Sequence, residues 1–213
     1  MLKIDALDVS IESVNVLRGV ALSVAAGQFA GLVGRNGAGK TTLLRSVMGL
    51  LPWNRGTIEF EGRSLRGIPA HGRARLGIGY LPEDRRLVPQ LTVEENVLLP
   101  AWATGSKDLV RRLAGIYRRI PEVAALAKQR ALQLSGGQQK LVALARALMC
   151  GTTLLLLDEP FEGVAPVLAL RLAEVIAQLK HEGLSVIVAG SEVSYSRAML
   201  DVVFTIDRGA ISS

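Results

Sequence analysis

The sequence predicts an α/β fold, a mostly parallel sheet carrying an inserted block of helices, and three observations predict it. Short, mostly apolar runs at 29–33, 77–81, 154–157, 185–189 and 202–206 fit buried parallel strands, and those beyond residue 150 alternate with helical patterns as strand–helix units do. Between residues 91 and 148 the pattern changes to helices alone. The run at 29–33 leads directly into GRNGAGKT at 34–41, and helical spacing follows at once, which gives a strand, a glycine-rich loop and a helix in that order.

The elements follow in chain order. Residues 2–11 alternate like a strand, and 16–24 is a second strand-like run. Phe29-Ala30-Gly31-Leu32-Val33 precedes Gly34; after Lys40, apolar residues at helical spacing reach Met48, and Gly49 and Pro52 stop them. Runs 56–60 and 77–81 are strand candidates. Thr92-Val93-Glu94-Glu95 is a capping box that opens a helix. Helical spacing continues over 106–120 and 122–134, and Ser135 caps a further helix beginning at Gly136. There are no repeats, low-complexity segments or long Gly/Ser linkers.

With 213 residues, the chain can bury a sizeable core and suits one domain with a subdomain. Its richest apolar region, 141–157, is interrupted by Arg146 and by Gly151-Thr152-Thr153, so no transmembrane helix is predicted. The start, MLKIDALDVS, carries no signal-peptide core. A single cysteine, Cys150, excludes an internal disulfide framework, agrees with a reducing cytosol, and reads as a small buried residue at a helix end. The net charge of +6 raises nucleic acid as a partner. The arginines are spread, however, from Arg63, Arg66, Arg73, Arg75, Arg85 and Arg86 to Arg111, Arg112, Arg118 and Arg119, and aromatics make up only 4%, leaving no stacking platform. No nucleic-acid partner is expected; a solvated face, or one near anionic lipid headgroups, accounts for the charge.

Three motifs carry chemistry. GRNGAGKT has the form G-x-x-x-x-G-K-[ST], whose backbone N–H groups close around phosphates while Lys40 reaches the β/γ-phosphates and Thr41 offers its hydroxyl to Mg²⁺. Gly34, Arg35, Asn36, Gly37, Ala38, Gly39, Lys40, Thr41 and Thr42 are thus the expected nucleotide contacts. The run LLLLDE at 154–159 is an apolar strand ending in two carboxylates, at the sheet edge where ligands sit. Asp158 would hold Mg²⁺ through a water, and Glu159, turned inward at the strand end, would polarise the attacking water as general base. In LSGGQ at 134–138, Ser135 caps the helix that Gly136, Gly137 and Gln138 begin, leaving backbone N–H groups and a helix dipole aimed outward.

Together, GRNGAGKT, LSGGQ and LLLLDEP make the chain resemble the nucleotide-binding subunits of ATP-binding-cassette (ABC) transporters, from Leu7 through Gly209. The resemblance implies a P-loop NTPase (RecA-like) core over 1–213, with an N-terminal antiparallel β portion and a helical subdomain near 87–150. It implies Mg-ATP hydrolysis in a head-to-tail dimer, in which Ser135, Gly136, Gly137 and Gln138 close over the γ-phosphate held by the partner. It also implies transmembrane permease subunits driven from the cytoplasmic face of the membrane, with the loop after Glu83 and the helices from Thr92 forming the groove for the permease. Three local segments resemble the ATPases of branched-chain (hydrophobic) amino-acid importers: Tyr80-Leu81-Pro82-Glu83-Asp84-Arg85-Arg86, then Leu91-Thr92-Val93-Glu94-Glu95-Asn96, and Gly163-Val164-Ala165-Pro166. An importer implies a periplasmic or extracellular solute-binding protein that meets the permease. Ala165 departs from the aspartate of most relatives.

Three further positions depart from the family pattern. The adenine-stacking aromatic falls near Ile11, which has no π-face and forgoes stacking on the order of 1 kcal/mol; Val16 is assigned to the nucleotide as well. The glutamine that contacts Mg²⁺ falls at Glu83, whose carboxylate can still bind the ion, as the importer ATPases allow. The histidine that contacts the γ-phosphate falls at Ser191, which donates one neutral hydrogen bond and no charge. Losing a comparable preorganised donor costs ~3–4 kcal/mol, or ~10²–10³ in rate. The expectation is slow hydrolysis at this chain's own site, with Glu159, Lys40 and Ser191 as its catalytic set and a more active heterodimeric partner. The alternatives are a soluble ABC ATPase of DNA repair or the ribosome, and a catalytically weak ATP-dependent clamp. The first usually needs a coiled-coil insertion or paired cassettes, absent here; Glu159 opposes the second, and Ile11 and Ser191 favour it. A chain that ends soon after its last strand is expected to lack a regulatory C-terminal domain.

Overall fold

In the computed structural model of the chain, which describes residues 1–192 and 194–212, two sheets share one apolar layer. The smaller sheet is antiparallel, in the order β2-β1-β4-β5, from β1 (Leu2–Ile11), β2 (Val14–Val24), β4 (Arg55–Phe60) and β5 (Arg63–Ser64). The larger runs β10-β9-β3-β8-β7-β6, from β3 (Phe29–Val33), β6 (Ile78–Leu81), β7 (Leu154–Asp158), β8 (Ser185–Gly190), β9 (Val202–Asp207) and β10 (Ala210–Ser212). All its pairings are parallel except β9 with β10. β8 lies between the phosphate-loop strand β3 and the acid strand β7, so the ends of all three strands meet at one edge.

Period-two alternation divides the core. Leu154, Leu156, Ile187 and Ala189 face the antiparallel sheet and α1 (Lys40–Met48), while Leu155, Leu157, Val186 and Val188 face the helices. Each fully buried leucine of β7 contributes about 1.5–3 kcal/mol. That burial on both faces fixes β7 centrally and lets it end in a buried carboxylate, Asp158.

Between β6 and β7 the chain is helical: α3 (Val93–Thr104), α4 (Leu109–Arg119), α5 (Pro121–Ala125) and α6 (Gly136–Cys150). The capping box at Thr92 forms as expected, with the Thr92 hydroxyl accepting from the Glu95 amide and the Glu95 carboxylate from the Thr92 amide. The helix expected over 106–120 begins only at Leu109, after Asp108; the Ser106 amide instead closes the end of α3, donating to the Ala101 carbonyl at 3.0 Å. The helix expected over 122–134 is also shorter. Past α5 the chain turns, and the carbonyls of Ala127 and Gln129 accept from the amides of Glu94 and Val93 at 3.0 and 2.8 Å, satisfying donors at the start of α3. A 3₁₀ turn over Ala131–Gln133 then leads into α6.

The sequence reading did not resolve β5, β10 or α2 (Ala70–Arg75), which are too short to show a period. α2 nonetheless carries a structural residue. Arg73 is 3% exposed and donates to the carbonyls of Ser46 and Val47, the open end of α1, and to those of Leu65 and Ile68. The remaining helix of the core is α7 (Pro166–Gln178). Among the described residues, no helix is long and apolar enough to cross a membrane.

Candidate active site

The loop between β3 and α1 is shaped by its glycines. Gly37 and Gly39 sit at φ 79° and 111°, and a Cβ on Gly39 would strike the Leu17 side chain at 2.7 Å. A Cβ on Gly34 would lie 2.3 Å from the carbonyl oxygen of Ile206 on β9. The helix α1 starts at Lys40 with no side-chain cap, so its first amides and the positive end of its dipole face the loop. A cavity of about 370 Å³ opens there, lined by Val16, Asn36, Gly37, Gly39, Lys40, Thr41, Thr42, Glu83, Glu159 and Glu162.

The acid strand meets this cavity from the side. The Thr41 hydroxyl donates to Asp158 Oδ1 at 3.0 Å, and the Tyr80 hydroxyl donates to Asp158 Oδ2 at 3.0 Å. Burial raises the Asp158 pKa above the ordinary carboxylate value; the two hydroxyl donors oppose that rise, and the charges of Glu83 and Glu159 add to it. Burial likewise raises the Tyr80 phenol, aided by the carboxylate beside it. The Thr41 hydroxyl and the Asp158 carboxylate, joined by one hydrogen bond, offer two hard oxygen ligands side by side. Among the described residues no cluster of three or more His, Cys, Asp or Glu could hold a metal by itself. The donor set therefore fits Mg²⁺ held by few protein oxygens, with the rest from phosphate and water.

Glu159 follows Asp158 in a left-handed backbone turn, φ 46°, that carries its side chain inward as expected. Its amide donates to the Ala189 carbonyl at 3.0 Å. Glu159 Oε1 pairs with Lys40 Nζ at 3.1 Å, and Oε2 accepts from the Ser191 amide at 3.3 Å. Lys40 also donates to the carbonyls of Gly34 and Arg35, at 2.6 and 3.2 Å. Gly190 lets the chain turn tightly after β8, since a Cβ there would lie 2.9 Å from the Glu192 carbonyl oxygen. Lys40, Thr41, Asp158, Glu159, Glu83 and Ser191 are thus brought to one edge of the sheet.

Other sequence-assigned residues lie elsewhere. Ile11 is 42% exposed at the end of β1, paired with Val14, and is not among the residues lining the cavity, whereas Val16 is. Ser135 caps α6, which Gly136, Gly137 and Gln138 begin, and these four are not among the residues lining the loop cavity. The Ser135 hydroxyl accepts from the Gln138 amide at 3.3 Å, and Gln138 Oε1 from the Ser135 amide at 2.9 Å, leaving the Gly136 and Gly137 amides outside the capping box. Gly137 packs close to α7, where a Cβ would meet Leu168 Cδ2 at 2.5 Å.

Two contacts to the acids were not foreseen. Tyr80 stands opposite Leu156 in the β6–β7 register, so it shares a face with Asp158 two residues on. Lys140 of α6, 1% exposed, donates to the Glu159 carbonyl at 2.7 Å. The available signal was a lysine entering the apolar run from Leu141 onward.

Comparison with known proteins agrees with this geometry. The sequence profile of the family described as "ABC transporter" matches residues 17–162. BraG, a high-affinity branched-chain amino acid transport ATP-binding protein of Pseudomonas aeruginosa, is 34% identical over 211 residues, covering 99% of this chain and 91% of BraG. LptB, the lipopolysaccharide export system ATP-binding protein of Escherichia coli, is 32% identical, covering 92% of this chain and 82% of LptB. Among solved structures, a nucleotide-free ATP-binding cassette from an ABC transporter superposes with a TM-score of 0.86 at 25% identity, covering all of this chain and 90% of the other. A dimeric cassette bound to ADP and Pi gives 0.88 at 22% identity, covering 97% of that chain. The fold is accordingly that of a P-loop NTPase with a helical insertion.

Proposed function

Since this chain belongs to the ABC transporter family and is an ATP hydrolase, we propose that it powers a transmembrane permease for branched-chain amino acids or similar small solutes. The likeness to BraG over 99% of this chain carries the choice of solute, and the Lys40–Glu159 and Thr41–Asp158 contacts beside the loop cavity support ATP as the fuel. In this reading the chain is a single nucleotide-binding domain with 87–150 as its helical subdomain, peripheral on the cytoplasmic face of the membrane.

The loop amides and the α1 N-terminus bind the phosphates, and Lys40 leaves Glu159 for the more highly charged β/γ-phosphates. Thr41 and Asp158, with Glu83 nearby, would hold Mg²⁺, which would supply positive charge to neutralise the phosphates. Glu159 Oε1, released by Lys40, accepts the proton of the attacking water, while the Ser191 amide keeps Oε2 in place. Ser191 offers the phosphate a neutral donor where the family resemblance places a histidine, so hydrolysis is slow and a heterodimer with a more active ATPase is favoured. The partner's site is closed by Ser135 to Gln138 of this chain. A groove lined by Met48, Leu50, Tyr80, Pro82 and Pro100 together with Arg45, His71, Arg86 and Arg146 suits the permease.

Uptake of radiolabelled leucine by cells from which the chain has been deleted, compared with cells in which it is restored, tests the solute. Loss of uptake supports the importer. Unchanged uptake of leucine, isoleucine and valine overturns it and turns attention to export of a lipid, the role that LptB's name describes.

A further inference from the structure

We infer that Lys140 is a positioning residue for hydrolysis: its ammonium holds the backbone turn that aims the Glu159 carboxylate at the phosphate loop, and ties that turn to the helix that Ser135 begins. The inference rests on the reading of Glu159 as the base.

Glu159 adopts a left-handed conformation, uncommon for a residue with a side chain and sustained only where its surroundings hold it. Its contacts are few and distinct. The amide is fixed by Ala189 of β8, and the carboxylate by Lys40 and the Ser191 amide. The carbonyl accepts from Lys140 Nζ at 2.7 Å and from the Glu162 amide at 3.3 Å. Lys40 is drawn away when phosphate binds, so the carboxylate loses one anchor as it becomes active. The carbonyl anchor from α6 then bears more of the turn.

Only the donor explains a lysine here. Lys140 is among the largest fully buried side chains of the protein, and burial depresses its pKa, with Arg85 adding to the fall and the Glu162, Glu83 and Glu159 charges opposing it. Among the described residues no carboxylate forms an ion pair with it. A methionine would fill the same space without desolvating a charge, but it would leave the Glu159 carbonyl without this hydrogen bond. Lys140 also stands on α6 little more than one turn after the capping box of Ser135 and Gln138. A displacement of that helix end therefore reaches the Glu159 turn through one hydrogen bond.

The test compares Lys140→Met and Lys140→Gln with wild type, by amide hydrogen exchange and by ATP hydrolysis. In Lys140→Met, the Glu162 and Ser191 amides exchange about tenfold faster while β7 amides keep their protection. Turnover falls about 10–100-fold, as displacement of a reacting group does, with KM for ATP within about twofold. Lys140→Gln, which keeps an N–H donor on a shorter stem, falls between. Wild-type exchange at Glu162 and Ser191, or wild-type kcat despite faster exchange, overturns the inference. If Lys140→Met does not fold, Lys140→Gln decides by the same readouts, and exchange decides alone if the unpartnered chain does not turn over. Glu159→Gln separates the two readings. If it hydrolyses ATP like wild type, the base assignment fails; if it is inactive while Lys140→Met retains wild-type kcat, only the Lys140 role fails.

Discussion

Replacing Tyr80 by phenylalanine removes one hydroxyl and nothing else from the environment of Asp158. That hydroxyl is one of two donors to a carboxylate buried completely at the end of β7. A hydrogen bond to a charged group is worth ~1.5–3 kcal/mol. For a chain of this size each kcal/mol shifts Tm by roughly 2–4 °C, so Tyr80→Phe should lower Tm by about 3–12 °C at neutral pH. The sign with pH follows from burial. Because the Asp158 pKa is raised in the fold, the native state keeps this proton at pH values where the unfolded chain has lost it. Stability therefore falls as pH rises from the ordinary aspartate value, about 4, through the raised one. Losing the Tyr80 donor raises that pKa further and extends the decline to higher pH. Asp158 is also the proposed Mg²⁺ ligand, and loss of an outer partner weakens metal sites by about 10–100-fold. Thermal unfolding across pH, with a Mg²⁺ titration of nucleotide binding, reads both effects. An unchanged Tm at pH 7 with Mg²⁺ half-saturation within twofold of wild type would refute the assignment of Tyr80 as the group that orients Asp158.

The other expectations are shorter. Thr92→Ala opens the capping box of α3 and should lower Tm by about 2–4 °C without altering ATP affinity; equal melting would mean that the cap adds nothing. Burial pushes the Cys150 thiol up to about 11, so native protein should react with a thiol reagent ~10²–10³-fold more slowly at pH 8 than an exposed cysteine. Labelling at the rate of a free thiol would place Cys150 outside the core. Ser191→His restores a charge-bearing donor beside the phosphate and should raise turnover at least ~10-fold; turnover equal to wild type would count against the slow-site reading.

What the sequence revealed is what is local along it. The loop at Gly34 to Thr41 and the acids at Asp158 and Glu159 each occupy one short segment whose spacing already dictates its chemistry, and the runs flanking them formed strands and a helix as expected. The left-handed turn at Glu159 answered the one geometric question the motif posed. Tyr80 and Lys140 were not legible as partners of the acids, because the contacts depend on strand register and on how α6 packs over the sheet. The shortened helix after Pro121 had a similar cause: amides at the start of α3 took carbonyls from 127 and 129, a tertiary demand that helical spacing does not reveal. Arg73 read as surface charge, yet its guanidinium closes the end of α1.

The most direct test of the account is conversion of bound ATP to ADP by wild type and by Glu159→Gln, with nucleotide affinity measured on the same preparations. Both proteins should bind Mg-ATP equally, and only wild type should form ADP, slowly. Equal ADP formation by the two proteins would contradict the account, since the carboxylate that Lys40, Ser191 and the turn hold in place would then not be the group that activates water.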